Sequence, residues 1–408
     1  MFFFPQTANL ERILTDPKLD GAIVSVTVND LSGKPIFEHN SSIHVVPASN
    51  QKLLSASFAL WELGPGYRPR TSFWKLQDRI VIDAPGDPLM RYSQLLDASK
   101  KLGSNGRLPV YVRESYAPEI PDSWEIDDLP NRYSAAVSSL TFDQGGFQAW
   151  SLHGKPTLVP APFGVSVDYR GGSGKPIVEY DPILRKLVVR GAMPSKDQML
   201  DTLAIPRPDE AAASIFGNSF YRTDLIPATP PDTVIIGGST QEMIAACLPP
   251  SDNNIAENLF LLGATKLGDL GSSPYLVARK RESEFLNHVV GIQPQDVHPY
   301  DGSGLSRHNY LTTRAIAKLL CWADSQPTSS IWHNALATPG KGTLSHRLQG
   351  LTFEGKTGSL DMVSSLSGYL TTRSGKKLVV SIVMNQFGCS GSEAHSLQDQ
   401  IISELAAD

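Results

Sequence analysis

Ser49 and Lys52 stand three residues apart in Pro47-Ala48-Ser49-Asn50-Gln51-Lys52, just ahead of the apolar run Leu53 to Trp61. Pro and Ser before good helix formers mark a helix start, and helix positions three apart share a face. A serine hydroxyl is a weak nucleophile until a neighbouring base takes its proton. Lysine can be that base if its ammonium loses a proton cheaply, and burial or a second nearby cation pushes its pKa down. The run is apolar on nearly all sides, which predicts a buried helix. Lys356 is the candidate second cation. A serine at a helix N-terminus also aims backbone N–H groups at developing negative charge.

Two further motifs follow in order, Ser306-Arg307-His308-Asn309 and Lys356-Thr357-Gly358. The second leads into a strand-like run and is expected to form an edge strand beside the nucleophile. Lys356 and Thr357 would then bind a substrate carboxylate, and Gly358 would let ligand approach the backbone closely. The Ser359 N–H would join that of Ser49 as an oxyanion hole. Ser306, in the loop Asp301-Gly302-Ser303-Gly304-Leu305-Ser306, is placed to relay a proton to the leaving amine. Singly, each motif also has a bland reading: a solvated helix start, a flexible loop, a turn. Their joint order and local contexts favour a serine acyl-enzyme.

The elements that must position these residues come from both chain ends. Ala22 to Val28 reads as a β-branched strand, the turn cluster Asp30 to Lys34 follows, and Pro35 to Glu38 returns. Near the C-terminus, Ser367 to Thr372 and Leu378 to Met384 flank the turn Arg373-Ser374-Gly375-Lys376, and Glu393 to Leu405 reads as an amphipathic helix. Helical texture also appears at Thr240 to Leu248, Asn254 to Leu267 and Leu311 to Trp322. Between them, short strand-like runs (Arg79 to Ile82, Leu108 to Val112, Arg185 to Val189) alternate with Pro- and Gly-rich turns. The expectation is an α/β core from residues 1–63 and 232–408, interrupted over 64–231 by a β-rich insertion.

With 408 residues the chain exceeds the usual single-core limit. A formal net charge of -5 and no basic cluster argue against nucleic acid as a partner. The three cysteines, Cys247, Cys321 and Cys389, have neither metal spacing nor a disulfide framework and are expected as small buried hydrophobes. The nine histidines show no metal-binding spacing, so no metal or cofactor is expected. No stretch reaches the ~18 apolar residues of a membrane span. The apolar start, Met1-Phe2-Phe3-Phe4-Pro5, lacks a basic n-region, a long h-region and a cleavage site, so no export signal is visible.

Over nearly its whole length the chain resembles the D-alanyl-D-alanine carboxypeptidase/endopeptidase group of low-molecular-mass, class C penicillin-binding proteins. Beyond the three motifs, the resemblance includes Gly86-Asp87-Pro88-Leu89, Trp124 with Asp127-Asp128 ahead of Tyr133, and Ser251-Asp252-Asn253 with Ala256-Glu257. It also includes Asp301 to Arg307, Gly342-Thr343-Leu344 with Arg347, and Lys356-Thr357-Gly358-Ser359-Leu360 leading to Leu366-Ser367-Gly368-Tyr369. It implies a penicillin-binding, β-lactamase-like transpeptidase core of α/β (α+β) class, a central antiparallel sheet flanked by helices, with two small extra β domains inserted over 64–231. It further implies hydrolysis of D-Ala-D-Ala or D-Ala cross-links in peptidoglycan stem peptides, and acylation by β-lactams. Ser49 is then the acylated nucleophile, Lys52 the proton acceptor, Ser306 the proton relay, and Lys356-Thr357-Gly358 the carboxylate-binding strand. The family's second motif is Ser-x-Asn; two residues after Ser306 stands His308, so the amide role is assigned to Asn309. The resemblance also implies a periplasmic or other extracytoplasmic location, with at most peripheral membrane association. Two rival readings are a β-lactamase on the same core and a non-catalytic peptidoglycan- or penicillin-binding protein.

Overall fold

In the computed structural model, residues 7–408 are described. The apolar start Met1 to Pro5 lies outside them. The chain forms two compact units, residues 1–65, 240–268 and 273–408, and residues 66–239 with 269–272.

The first unit is built on a five-stranded antiparallel sheet in the order Thr352–Leu360, Val363–Thr371, Lys377–Asn385, Ile23–Asp30, Pro35–His39. The N-terminal hairpin thus docks on the C-terminal strands, Ile23 opposite Asn385 and Asp30 opposite Leu378. Alternation along Ile23–Asp30 sends Val24, Val26 and Val28 to one face, where they pack with Leu397, Ile401 and Ile402 of the closing helix Gly391–Ala406. That helix starts on a capping box, Ser390 with Glu393. Ser25 and Thr27 point to the other face and hydrogen-bond Thr313, the first residue of helix Thr313–Asp324.

On that second face lies helix Gln51–Leu63, buried from Gln51 through Leu60, beside helices Asn253–Thr265 and Pro274–His288. Gly263 allows the close helix crossing: a Cβ there would sit 3.2 Å from the Ala59 backbone. The helix Pro274–His288 is absent from the sequence reading because its charged residues blur the period that marks an amphipathic face.

The second unit holds three sheets that share one apolar cluster, including Phe73 and Ile82, Phe147 and Leu203, and Tyr180 and Leu187. It also carries a helix, Tyr92–Lys101, and a short one, Pro208–Ala213. The unit extends past the expected boundary at 231 because strand Thr233–Ile236 pairs with Arg70–Lys75. Of the cysteines, Cys247 is buried, whereas Cys321 and Cys389 are half-buried.

Candidate active site

Ser49 sits in a single 3-10 turn, Ala48–Asn50, that runs directly into helix Gln51–Leu63. Ala48 takes φ +47, a left-handed conformation that costs a non-glycine residue about 1–3 kcal/mol and persists only where its surroundings enforce it. The enforcement is visible. Ser365 Oγ donates to Pro47 O at 2.7 Å, and Asn50 Nδ2 donates to Ser367 Oγ at 2.8 Å. The turn is thereby held to the sheet, and Ser49 stays half-buried while its neighbours are buried.

Lys52, fully buried, places Nζ 2.9 Å from Ser49 Oγ, 2.6 Å from Asn253 Oδ1 and 2.7 Å from Ser303 O. A neutral amine has two N–H donors and one lone pair. Asn253 Oδ1 and Ser303 O are acceptors and take the two N–H groups. In the neutral form this would leave the lone pair facing the Ser49 hydroxyl, the geometry a general base requires. Burial holds the Lys52 pKa below its ordinary 10.5, against the opposing pull of Cys247, Asp301 and Glu257. Burial, with the charge of Lys52 added, holds the equally buried Lys356 well below that value.

Lys356, Thr357 and Gly358 lie on the edge strand Thr352–Leu360, with Lys356 opposite Ser367 and Gly358 opposite Ser365, and on the outer side the strand makes one bridge, Gly355 to Ala337. Lys356 Nζ donates to Thr357 O at 2.7 Å, and Thr357 Oγ1 donates to Thr343 Oγ1 at 2.7 Å. A Cβ on Gly358 would stand 2.7 Å from the Ser49 N and press on Ser365 Oγ. The edge strand therefore passes against the nucleophile turn, and only glycine leaves that approach open. Ser359, the next residue, is exposed, and its Oγ lies 3.3 Å from His395 Nε2.

The structure places Ser306 and Asn309 within the loop that begins at Asp301. Asn309 is fully buried, and its amide is spent within its own loop. Oδ1 accepts from the Tyr300 and Asp301 N–H groups, and Nδ2 donates to Asp301 Oδ1 and Ser306 O. Ser306 is buried as well, its N–H donating to Asp301 Oδ2 and its Oγ accepting from the His308 N–H. The loop residue that reaches Lys52 is Ser303, through its carbonyl. The amide that reaches it is Asn253, on the first turn of helix Asn253–Thr265, capped by Asp252. The signal was present: Ser251-Asp252-Asn253 is a Ser-x-Asn in the plain sense. It lost to Ser306 because a longer run of matching residues surrounds the latter. Ser251 has φ +64, a second non-glycine left-handed residue beside the site.

A serine hydroxyl beside a buried amine, with an edge strand running past both, is an arrangement that suits a serine acyl-transfer hydrolase on an α+β core. The D-Ala-D-Ala carboxypeptidase 3 (S13) family matches residues 6–407, and the chain belongs to that family of serine peptidases. It is 27% identical to the D-alanyl-D-alanine carboxypeptidase of Actinomadura sp. (strain R39), over 98% of this chain and 84% of that protein. Its fold is shared with penicillin binding protein 4 (dacB) from Haemophilus influenzae, at a TM-score of 0.81 and 21% identity, covering 98% of this chain and 99% of the other. That protein is also known in complex with a β-lactam. A more distant fold relative is Bd3459, a predatory peptidoglycan endopeptidase from Bdellovibrio bacteriovorus, at a TM-score of 0.54 and 12% identity, covering 92% of this chain and 90% of that one. No helix among the described residues is long and apolar enough to cross a membrane.

Proposed function

We propose that the reaction runs through an acyl-enzyme on Ser49, with Lys52 as the base that accepts its proton. The substrate is a peptidoglycan stem peptide ending in D-Ala-D-Ala or carrying a D-Ala cross-link, met outside the cytoplasmic membrane. The N–H groups of Ser49 and Ser359 stabilise the tetrahedral oxyanion. Lys356 and Thr357 take the terminal carboxylate, and the outer edge of the strand accepts the peptide backbone. Asn253, in place of Asn309, holds Lys52, and Ser251 is the hydroxyl that passes the proton to the leaving amine. β-Lactams enter the same path and remain as adducts.

The observation that carries this reading is the contact of Lys52 with Ser49 at 2.9 Å while two acceptors occupy its N–H groups. Incubation with a β-lactam followed by intact-mass and peptide mapping tests it. A stable adduct on Ser49, lost in Ser49→Ala together with D-Ala release, is expected. An adduct elsewhere overturns the assignment, and rapid penicillin turnover without accumulation points to a β-lactamase.

A further inference from the structure

The Lys52 lone pair is aimed only as well as its two acceptors are held. One of these, Asn253, sits on a helix. The other, Ser303 O, belongs to the irregular loop that begins at Asp301, and a loop carbonyl needs something to fix its direction.

That fixing group is Glu257, fully buried on helix Asn253–Thr265. Glu257 lies four residues after Asn253 and therefore on the same helix face. Its Oε1 accepts from the Ser303 N–H at 2.7 Å, and its Oε2 accepts from the Gly302 N–H at 2.9 Å. The Tyr275 hydroxyl donates to Oε2 at 3.1 Å. The Ser303 residue is thus gripped by its N–H on one side while its carbonyl meets Lys52 on the other. The loop is also shaped from within. Asp301 accepts from the Gly304 and Ser306 N–H groups, each at 2.7 Å, and Gly302 O accepts from Ser55 Oγ at 2.6 Å. The loop packs closely on helix Asn253–Thr265 and on the Ser49 turn, since a Cβ on Gly302 would meet Phe260 and the Ala256 carbonyl and one on Gly304 would meet the Ala48 carbonyl.

We propose that Glu257 is a positioning residue for the general base: by gripping the Gly302 and Ser303 N–H groups it points the Ser303 carbonyl at Lys52. One face of one helix then sets both acceptors of the catalytic amine, Asn253 directly and Ser303 through the loop. The proposal rests on the reading of Ser49 and Lys52 given above. An acid side chain is the group the geometry suits, because two backbone donors arrive on two different oxygens. Glutamine has the same shape but must set an N–H against one of them. Burying an acid is otherwise unfavourable: desolvation and the nearby Asp301 push the Glu257 pKa up to about 8. An apolar residue would fill the space more cheaply. Retention of an acid here follows from its two-pronged grip.

The test separates encounter from chemistry. Acylation of wild type, Glu257→Gln and Tyr275→Phe by a fluorescent penicillin is followed by stopped flow, so that the dissociation constant of the encounter complex and the acylation rate constant are read separately. A misaimed base is expected to cost ~10- to 100-fold in the acylation rate constant of Glu257→Gln, with the encounter constant and the cooperative melt kept. Tyr275→Phe, which leaves both backbone grips intact, is expected within about threefold of wild type. A wild-type acylation rate in Glu257→Gln overturns the proposal. So does an equal loss in Tyr275→Phe, or a loss that falls on the encounter constant. If Glu257→Gln does not fold, Glu257→Asp is measured by the same criterion, and an unchanged rate constant is then the overturning result. Wild-type protein that forms no Ser49 adduct sinks the parent reading instead.

Discussion

Lys52 and Asn253 meet at 2.6 Å although 201 residues separate them in sequence. The contact joins the first turns of two buried helices, one that follows the Ser49 turn and one that opens on the asparagine of a plain Ser-x-Asn. It ties the base to a rigid element rather than a loop, so the site's geometry rests on helix packing.

Truncating the two candidate asparagines should give opposite results. Asn253→Ala removes an acceptor from a neutral amine, a bond worth about 0.5–1.5 kcal/mol, so penicillin acylation should slow ~2- to 10-fold. Asn309→Ala leaves buried partners unsatisfied, so its main effect should be a loss of about 1–3 kcal/mol in denaturant unfolding. Equal acylation losses with equal stabilities would return the amide role to Asn309.

Gly358→Ala inserts a methyl 2.7 Å from the Ser49 N. Either the edge strand or the nucleophile turn must move, at a cost of about 1–3 kcal/mol for overpacking. The acylation rate should fall by at least ~10-fold, because the two proposed oxyanion donors flank this contact. A wild-type rate would show that strand and turn are not rigidly apposed.

His333 supplies a pH-dependent element away from the reacting groups. Its ring hydrogen-bonds Glu354 and Asp324 through opposite nitrogens and packs 4.4 Å from the Tyr369 ring. The Glu354 bond first, and the Asp324 bond next, raise its pKa above 6.5, while partial burial opposes them. A histidine raised in the folded state stabilises fully below its unfolded pKa, and that contribution fades as pH rises through the folded value. His333→Asn should therefore lower the melting temperature more at about pH 6 than at about pH 9. A gap that is constant, or larger at the alkaline end, would refute the charged pair.

From residue types and spacing alone, the buried helix start that joins Ser49 to Lys52 and the strand through Lys356-Thr357-Gly358 were legible, as were the two terminal hairpins and the closing helix. Each is a local pattern: i and i+3 on a helix, alternation on a strand, a turn between apolar runs. Which asparagine serves the base was not legible, because two competing motifs differ only in where distant helices and loops fold. Nor was the role proposed for Glu257, whose carboxyl group meets backbone N–H groups on a loop 45 residues away, a contact with no side-chain signature at the loop end. Only the tertiary structure shows these contacts, since hydrogen bonds to buried backbone depend on how the helices and the loop pack together and leave no periodic trace in the chain.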